Sequence, residues 1–123
     1  MKIPPQYLPV MPYLILGDAR GFLDFAQQVF GATELMIARD EQNSIRHGEI
    51  NIGPAVIMFA QSTDQWPIKP AGMFLYVENV DQVYDAAMHR NAISLMHPER
   101  KDYGYTAGFE DPAGNHWWIV QGE

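Results

Sequence analysis

Residues 103–121 read YGYTAGFEDPAGNHWWIVQ, and this stretch decides the fold. Tyr105, Ala107 and Phe109 alternate with Thr106, Gly108 and Glu110, the period-two pattern of a strand. Asp111-Pro112-Ala113-Gly114-Asn115 then supplies a tight turn. Proline presets φ early in such a turn, and glycine and asparagine tolerate φ > 0 near its end. Residues 116–120 resume as a strand. Successive side chains of a strand point to opposite faces, so Trp117 and Trp118 point opposite ways. The plain reading of the pair is a buried hairpin that packs two indoles.

Outward from this hairpin, the chain repeats one plan at an offset of 61 residues. Pro4 and Pro5 make residues 1–8 an extended arm, and a first strand follows at residues 13–16. Asp18 is placed to cap a helix over residues 20–30, with Phe22, Phe25, Ala26, Val29 and Phe30 on one face and Gly31 at its end. Strands are expected at residues 34–39, 45–52 and 55–61. Residues 63–69, which include Trp66 and Pro67, show no periodicity and read as a linker. The second half gives a strand at 73–77, a helix at 80–90 capped by Asn79, a strand at 93–96, a polar loop at 97–102, and the closing hairpin. At the same offset Leu16 falls on Val77, Asp18 on Asn79, Phe22 on Val83, Gly53 on Gly114 and Ile57 on Trp118. The expected fold is a single α+β domain over residues 1–123, made of two βαβββ modules at about residues 9–62 and 70–122. Each module buries one sheet face under its helix, and the eight strands form a rolled mixed sheet around a cleft.

Composition narrows the function. A formal net charge of −7, with eight Lys and Arg, denies the chain the basic surface that nucleic-acid binding needs. It suits neutral or cationic ligands instead. No apolar run approaches the roughly 20 residues of a membrane span, and the prolines near the N-terminus break up any signal-peptide core. The absence of cysteine excludes disulfides, thiolate metal sites and a cysteine nucleophile, and a cytoplasmic protein is expected. There is no glycine-rich phosphate loop and no G-x-S-x-G elbow.

The D-P-x-G-N hairpin followed by an apolar aromatic strand resembles the closing hairpin of the vicinal-oxygen-chelate superfamily. That superfamily includes glyoxalases, bleomycin-resistance proteins and extradiol dioxygenases. The tryptophans after GNH, and HGEINIG at residues 47–53, look most like its PhnB-like and bleomycin-resistance branches. The resemblance covers about residues 9–121 and implies the two-module plan and a homodimer. In metal-dependent members it also implies a divalent ion held by His and Glu on the first and last strands of each module. Those positions fall at Met11 or Pro12, at Gly72 or Met73, at Met58 and at Trp118, and none offers an oxygen or nitrogen ligand. No metal cofactor is therefore expected. The alternative is a divalent ion in a displaced site built from His47, Glu49 and His116.

His47, Glu49 and Asn51 alternate on the third strand and share a face. A His-x-Glu pair can bind metal, act as a general base, or simply belong to a solvated strand face. The candidate ligand-binding residues are Trp118, Tyr105, Tyr103, Met58, His47 and Glu49, with Met11 and Met73 beside them. In an acidic protein such a lining would hold a planar apolar or cationic molecule by stacking and cation–π attraction. The same side chains could instead fill the barrel. No catalytic residue is identified. The expectation is a metal-free small-molecule binding or sequestering protein of the antibiotic-resistance kind. The alternatives are a metal-dependent lyase, isomerase or dioxygenase, and a structural dimer with a filled cleft.

Overall fold

A computed structural model describes residues 1–123. The elements run β1 Tyr13–Leu16, α1 Ala19–Phe30, β2 Thr33–Arg39, β3 Ile45–Ile52 and β4 Ala55–Gln61, then β5 Gly72–Val77, α2 Val80–His89, β6 Ile93–Lys101, β7 Gly104–Glu110 and β8 His116–Gln121. This is βαβββ twice. The strands pair as two four-stranded sheets, β1-β4-β3-β2 and β5-β8-β7-β6. No ladder joins the two, so the eight strands form two open sheets rather than one continuous roll. In each sheet the first strand lies parallel to the last, and the remaining pairs are antiparallel. No helix is long and apolar enough to cross a membrane.

The ladders refine the repeat. Tyr13 pairs with Met58, and Phe74 pairs with Trp118. Tyr13 and Phe74 keep the 61-residue offset, but Met58 and Trp118 stand 60 apart. Trp118 thus matches Met58 and not Ile57, which packs in the core at 5% exposure. Both helices start in the same way. Asp18 accepts from the Gly21 amide, and Asn79 accepts from that of Gln82. The last strand of each module adds a second cap. Gln61 Oε1 accepts from the Ala19 amide, and Gln121 Oε1 from that of Val80. Each glutamine thereby satisfies an otherwise orphaned donor and ties the helix start to its sheet.

One segment departs from expectation. Residues 97–102 do not form a polar loop; β6 runs through them to Lys101. Glu99, Arg100 and Lys101 pair with Thr106, Tyr105 and Gly104. The ladder breaks register between Met96 and Glu99, where Pro98 sits. A proline without an N–H is tolerated at such an irregularity.

A shared core joins the modules. Phe25 and Phe30 of α1 reach the second sheet, with the Phe30 ring 4.4 Å from Trp117 and the Phe25 ring 6.1 Å from Phe109. The closing turn is more than a turn. Asp111, 2% exposed, accepts from the Ala113 and Asn115 amides at one carboxylate oxygen. At the other it accepts from the Asn115 side chain and from Trp117 Nε1. Asn115 in turn accepts from the Ala71 amide at the entry to β5. Gly114 takes φ 92°, a conformation that β-carbon-bearing residues rarely adopt.

Candidate functional site

The registers decide what each sheet turns away from its helix. On the first sheet Leu14, Ile50, Ile57 and Phe59 face the helix core, so Tyr13, Met58, Glu49 and Ala60 face outward. A cavity of about 710 Å³ opens on this outer side, walled by Tyr13, Ile15 and Ala60, by Arg46 and Asp40 near the β2–β3 turn, and by Trp66 of the linker. The linker is held there by backbone pairing of Lys69 with Ile15 along the free edge of β1. Trp66 is 60% exposed. An exposed indole beside a cavity offers a planar ligand a stacking surface.

Next to the cavity runs a chain of hydrogen bonds. Tyr7 of the arm donates to Glu49 Oε1 at 2.6 Å, and His47 Nε2 meets Glu49 Oε2 at 2.7 Å. His47 Nδ1 meets the Tyr13 hydroxyl at 3.1 Å. Tyr7 covers Glu49, which is only 3% exposed. Burial by itself pushes the Glu49 carboxyl upward. The hydrogen bonds from Tyr7 and His47, and the charge of the imidazole when it is protonated, together outweigh burial and hold it below its usual range. The phenol of Tyr7 is pushed up, first because it donates to that carboxylate. Met36 and Met58 stand opposite Glu49 on the neighbouring strands.

The second sheet turns a different face outward. Trp118 lies flat on Gly108, where a β-carbon would stand 2.3 Å from the indole. Phe74, paired with Trp118, is 56% exposed and Tyr76 is 69% exposed, their rings 5.4 Å apart. His116 pairs with Glu110 at 2.9 Å on this same face.

The sequence-based candidates therefore separate. His47, Glu49 and Met58 share the outer face of the first sheet, and Trp118 and His116 that of the second. Tyr105 is a correction: it turns to the helix side, where its hydroxyl donates to Asp81 of α2 at 2.7 Å. Its phenol is pushed up mainly by that bond. Tyr103 sits, 61% exposed, at the β6–β7 turn and lines none of the cavities described. Met73 also faces inward, opposite Trp117, and lines a separate space of about 160 Å³ between β4 and β5. The displaced set of His47, Glu49 and His116 is not brought together. No three His, Asp or Glu side chains group as ion ligands, and both histidines already face carboxylates of their own sheets. Neither these residues nor those at the resemblance-derived positions fit a metal site. Tyr7, Tyr13 and Arg46 went unrecognised in the sequence, because only the fold brings Tyr13 and Arg46 to the cavity and only the docked arm brings Tyr7 to Glu49.

The sequence matches the glyoxalase/bleomycin resistance protein/dioxygenase superfamily over residues 8–119, and the chain belongs to it. Among solved structures, protein PA1353 from Pseudomonas aeruginosa is similar at 20% identity and TM-score 0.78, over 94% of this chain and 98% of that one. A PhnB protein from Bacillus cereus is similar at 15% identity and TM-score 0.73, over 94% and 100%. TnmS3, an antibiotic binding protein from Streptomyces sp. CB03234, is similar at 17% identity and TM-score 0.72, over 95% and 100%. At these identities the likeness is one of fold. No curated protein sequence matches the chain.

Proposed function

We propose that the protein is a metal-free binder that sequesters a planar small molecule, apolar or cationic, and works as a homodimer. The observation that carries this reading is the 710 Å³ cavity with Trp66 and Tyr13 in its wall. Its volume falls in the range of small-molecule pockets. The net charge of −7 favours a cationic guest. The antibiotic-binding neighbour TnmS3 supports drug sequestration as the kind of role. The outward aromatics Phe74, Tyr76 and Trp118 support the dimer, since exposed apolar patches mark association surfaces.

The test is a titration of the purified protein with proflavine, a planar cation, followed by tryptophan fluorescence and calorimetry. We expect saturable quenching, weakened about tenfold by Trp66→Ala through lost stacking. Absence of binding across a panel of planar compounds would sink this reading and favour a dimer whose faces are closed by its own side chains. Elemental analysis of the same sample addresses the enzyme alternative. An equimolar divalent ion surviving dialysis would overturn the metal-free reading and direct attention to lyase, isomerase or dioxygenase assays.

A further inference from the structure

We infer that the Tyr7–Glu49–His47–Tyr13 chain fixes Tyr13 as a hydrogen-bond acceptor toward the cavity, so that the site selects planar ligands whose edge donates an N–H or O–H. The ligand part of this rests on the binding reading above. The order of protons rests on the chain alone.

The buried member of the chain is Glu49. An ionised carboxylate has no proton to give and can only accept. Glu49 accepts from Tyr7 at one oxygen, so the contact at its other oxygen must be a donation from His47 Nε2–H. A neutral imidazole carries one proton. With that proton on Nε2, Nδ1 is left as a lone-pair acceptor. The 3.1 Å contact must then be a donation from the Tyr13 hydroxyl to Nδ1. Both ring nitrogens meet partners in this orientation of the ring, which supports it over the flipped one. The Tyr13 proton is thus committed inward, and the oxygen keeps only lone pairs for a guest. Tyr13 is the solvent-exposed end of the chain and lines the cavity together with Trp66. The rim adds little bias of charge, because Asp40 and Arg46 contribute opposite signs.

A phenol, an amine or a heteroaromatic N–H lying against Trp66 could therefore be bonded by Tyr13. A ketone or ether of the same shape would set lone pair against lone pair. Leaving a polar group unpaired in this way costs more than a made hydrogen bond gains. The selectivity comes from a carboxylate two residues removed from any ligand contact. Glu49 is accordingly a positioning residue.

The test uses the full chain at about pH 8, where an ordinary imidazole is neutral. Nitrogen-15 NMR reads the His47 tautomer directly, and we expect the proton on Nε2. A proton on Nδ1 would overturn the inference whatever binds. Calorimetry then compares 2-naphthol, a donor, with 2-acetylnaphthalene, an acceptor of similar shape. Wild type should prefer the donor about tenfold. Equal affinities or the opposite order would overturn the selectivity.

Glu49→Gln provides the inversion. The new amide can still accept from Tyr7 at its oxygen, but its NH2 donates to His47 Nε2. The imidazole proton then moves to Nδ1 and points at Tyr13, whose own proton turns to the cavity. The acceptor probe should now bind better, and NMR should report the Nδ1 tautomer. A merely structural Glu49 would weaken both probes alike and leave the tautomer unchanged. Tyr13→Phe should erase the preference while both probes still stack. If neither probe binds wild type, the binding reading fails with the ligand part, and the tautomer alone decides the proton order.

Discussion

The two modules share a backbone plan and differ in what their outer faces present. On the first, Tyr7 covers Glu49, and the polar groups are joined in a chain that ends at a cavity. On the second, Phe74, Tyr76 and Trp118 stand open, and the ionisable pairs, His116 with Glu110 and Lys101 with Glu99, lie at the side. A duplicated βαβββ unit must keep its helix-side residues to fold, because they fill a common core. The outer faces carry no such obligation. Met58 and Trp118 occupy matching ladder positions, yet one flanks a buried carboxylate and the other lies on a glycine. Under the proposed function the first face takes the ligand and the second a partner copy, which would account for that asymmetry.

The turns closing the two modules differ as much, and here the largest effect is expected. The β3–β4 turn is a short exposed link through Gly53 and Pro54. The β7–β8 turn is the buried knot of Asp111 and Asn115. Asp111→Ala removes the acceptor for four donors, among them the buried Trp117 indole and the Asn115 side chain. The loss should be at least about 3 kcal/mol. Pro54→Ala should cost less than about 1 kcal/mol, chiefly through the unfolded chain. Urea unfolding of both variants reads the contrast. Equal losses would mean that the closing knot is no more than a turn.

This contrast also marks where the sequence was legible. The turn residues, both helix caps and the two-module plan follow from local chemistry, since a cap or a tight turn is satisfied within a few residues. The sides of the strands are a different matter. Alternation puts Trp117 and Trp118 on opposite faces, but which of them Tyr105 joins depends on how many residues the turn contains. Pairing Glu110 with His116 puts Phe109, and with it Tyr105, on the side of Trp117. One residue more or less would reverse that. The single-residue slip between the last strands is hidden for the same reason. Tyr7 reaches Glu49 across 42 residues, and no local pattern announces such a contact. His47 and Glu49 were therefore visible as neighbours on one strand face, and their partners Tyr7 and Tyr13 were not.

The second expected effect strikes the open aromatic face. Serine at both Phe74 and Trp118 removes the two paired rings from its centre. If a second copy covers this face, the dimer dissociation constant should rise about 100-fold, as for loss of a central aromatic anchor. Sedimentation velocity at micromolar protein should then show the mass halved, with far-ultraviolet dichroism unchanged. The helix-side core lies beneath the opposite surface and is untouched by the change. A wild type that sediments as a monomer would remove the association role from this face. The comparison between modules would then need another explanation.

The smallest effect concerns the covered carboxylate, and its sign can be fixed beforehand. Glu49 titrates below its usual range in the folded protein, because hydrogen bonds to the charged form and the nearby imidazole outweigh the opposing cost of burial. A depressed folded value means that the unfolded chain binds the proton more readily. The Glu49 contribution is therefore fully present above the ordinary carboxylate range and fades as pH falls through the lower folded value. Glu49→Gln keeps the shape without that titration. At neutral pH the two proteins should differ by about 1 kcal/mol or less. As the solution is acidified, the wild-type stability should fall more steeply until the curves converge. The sensitive measurement is the difference in urea midpoint between the two proteins, followed from neutral pH into acid. A gap that stays constant would show that Glu49 is held no differently in the folded and unfolded chains. The outer face of the first sheet would then be as passive electrostatically as that of the second.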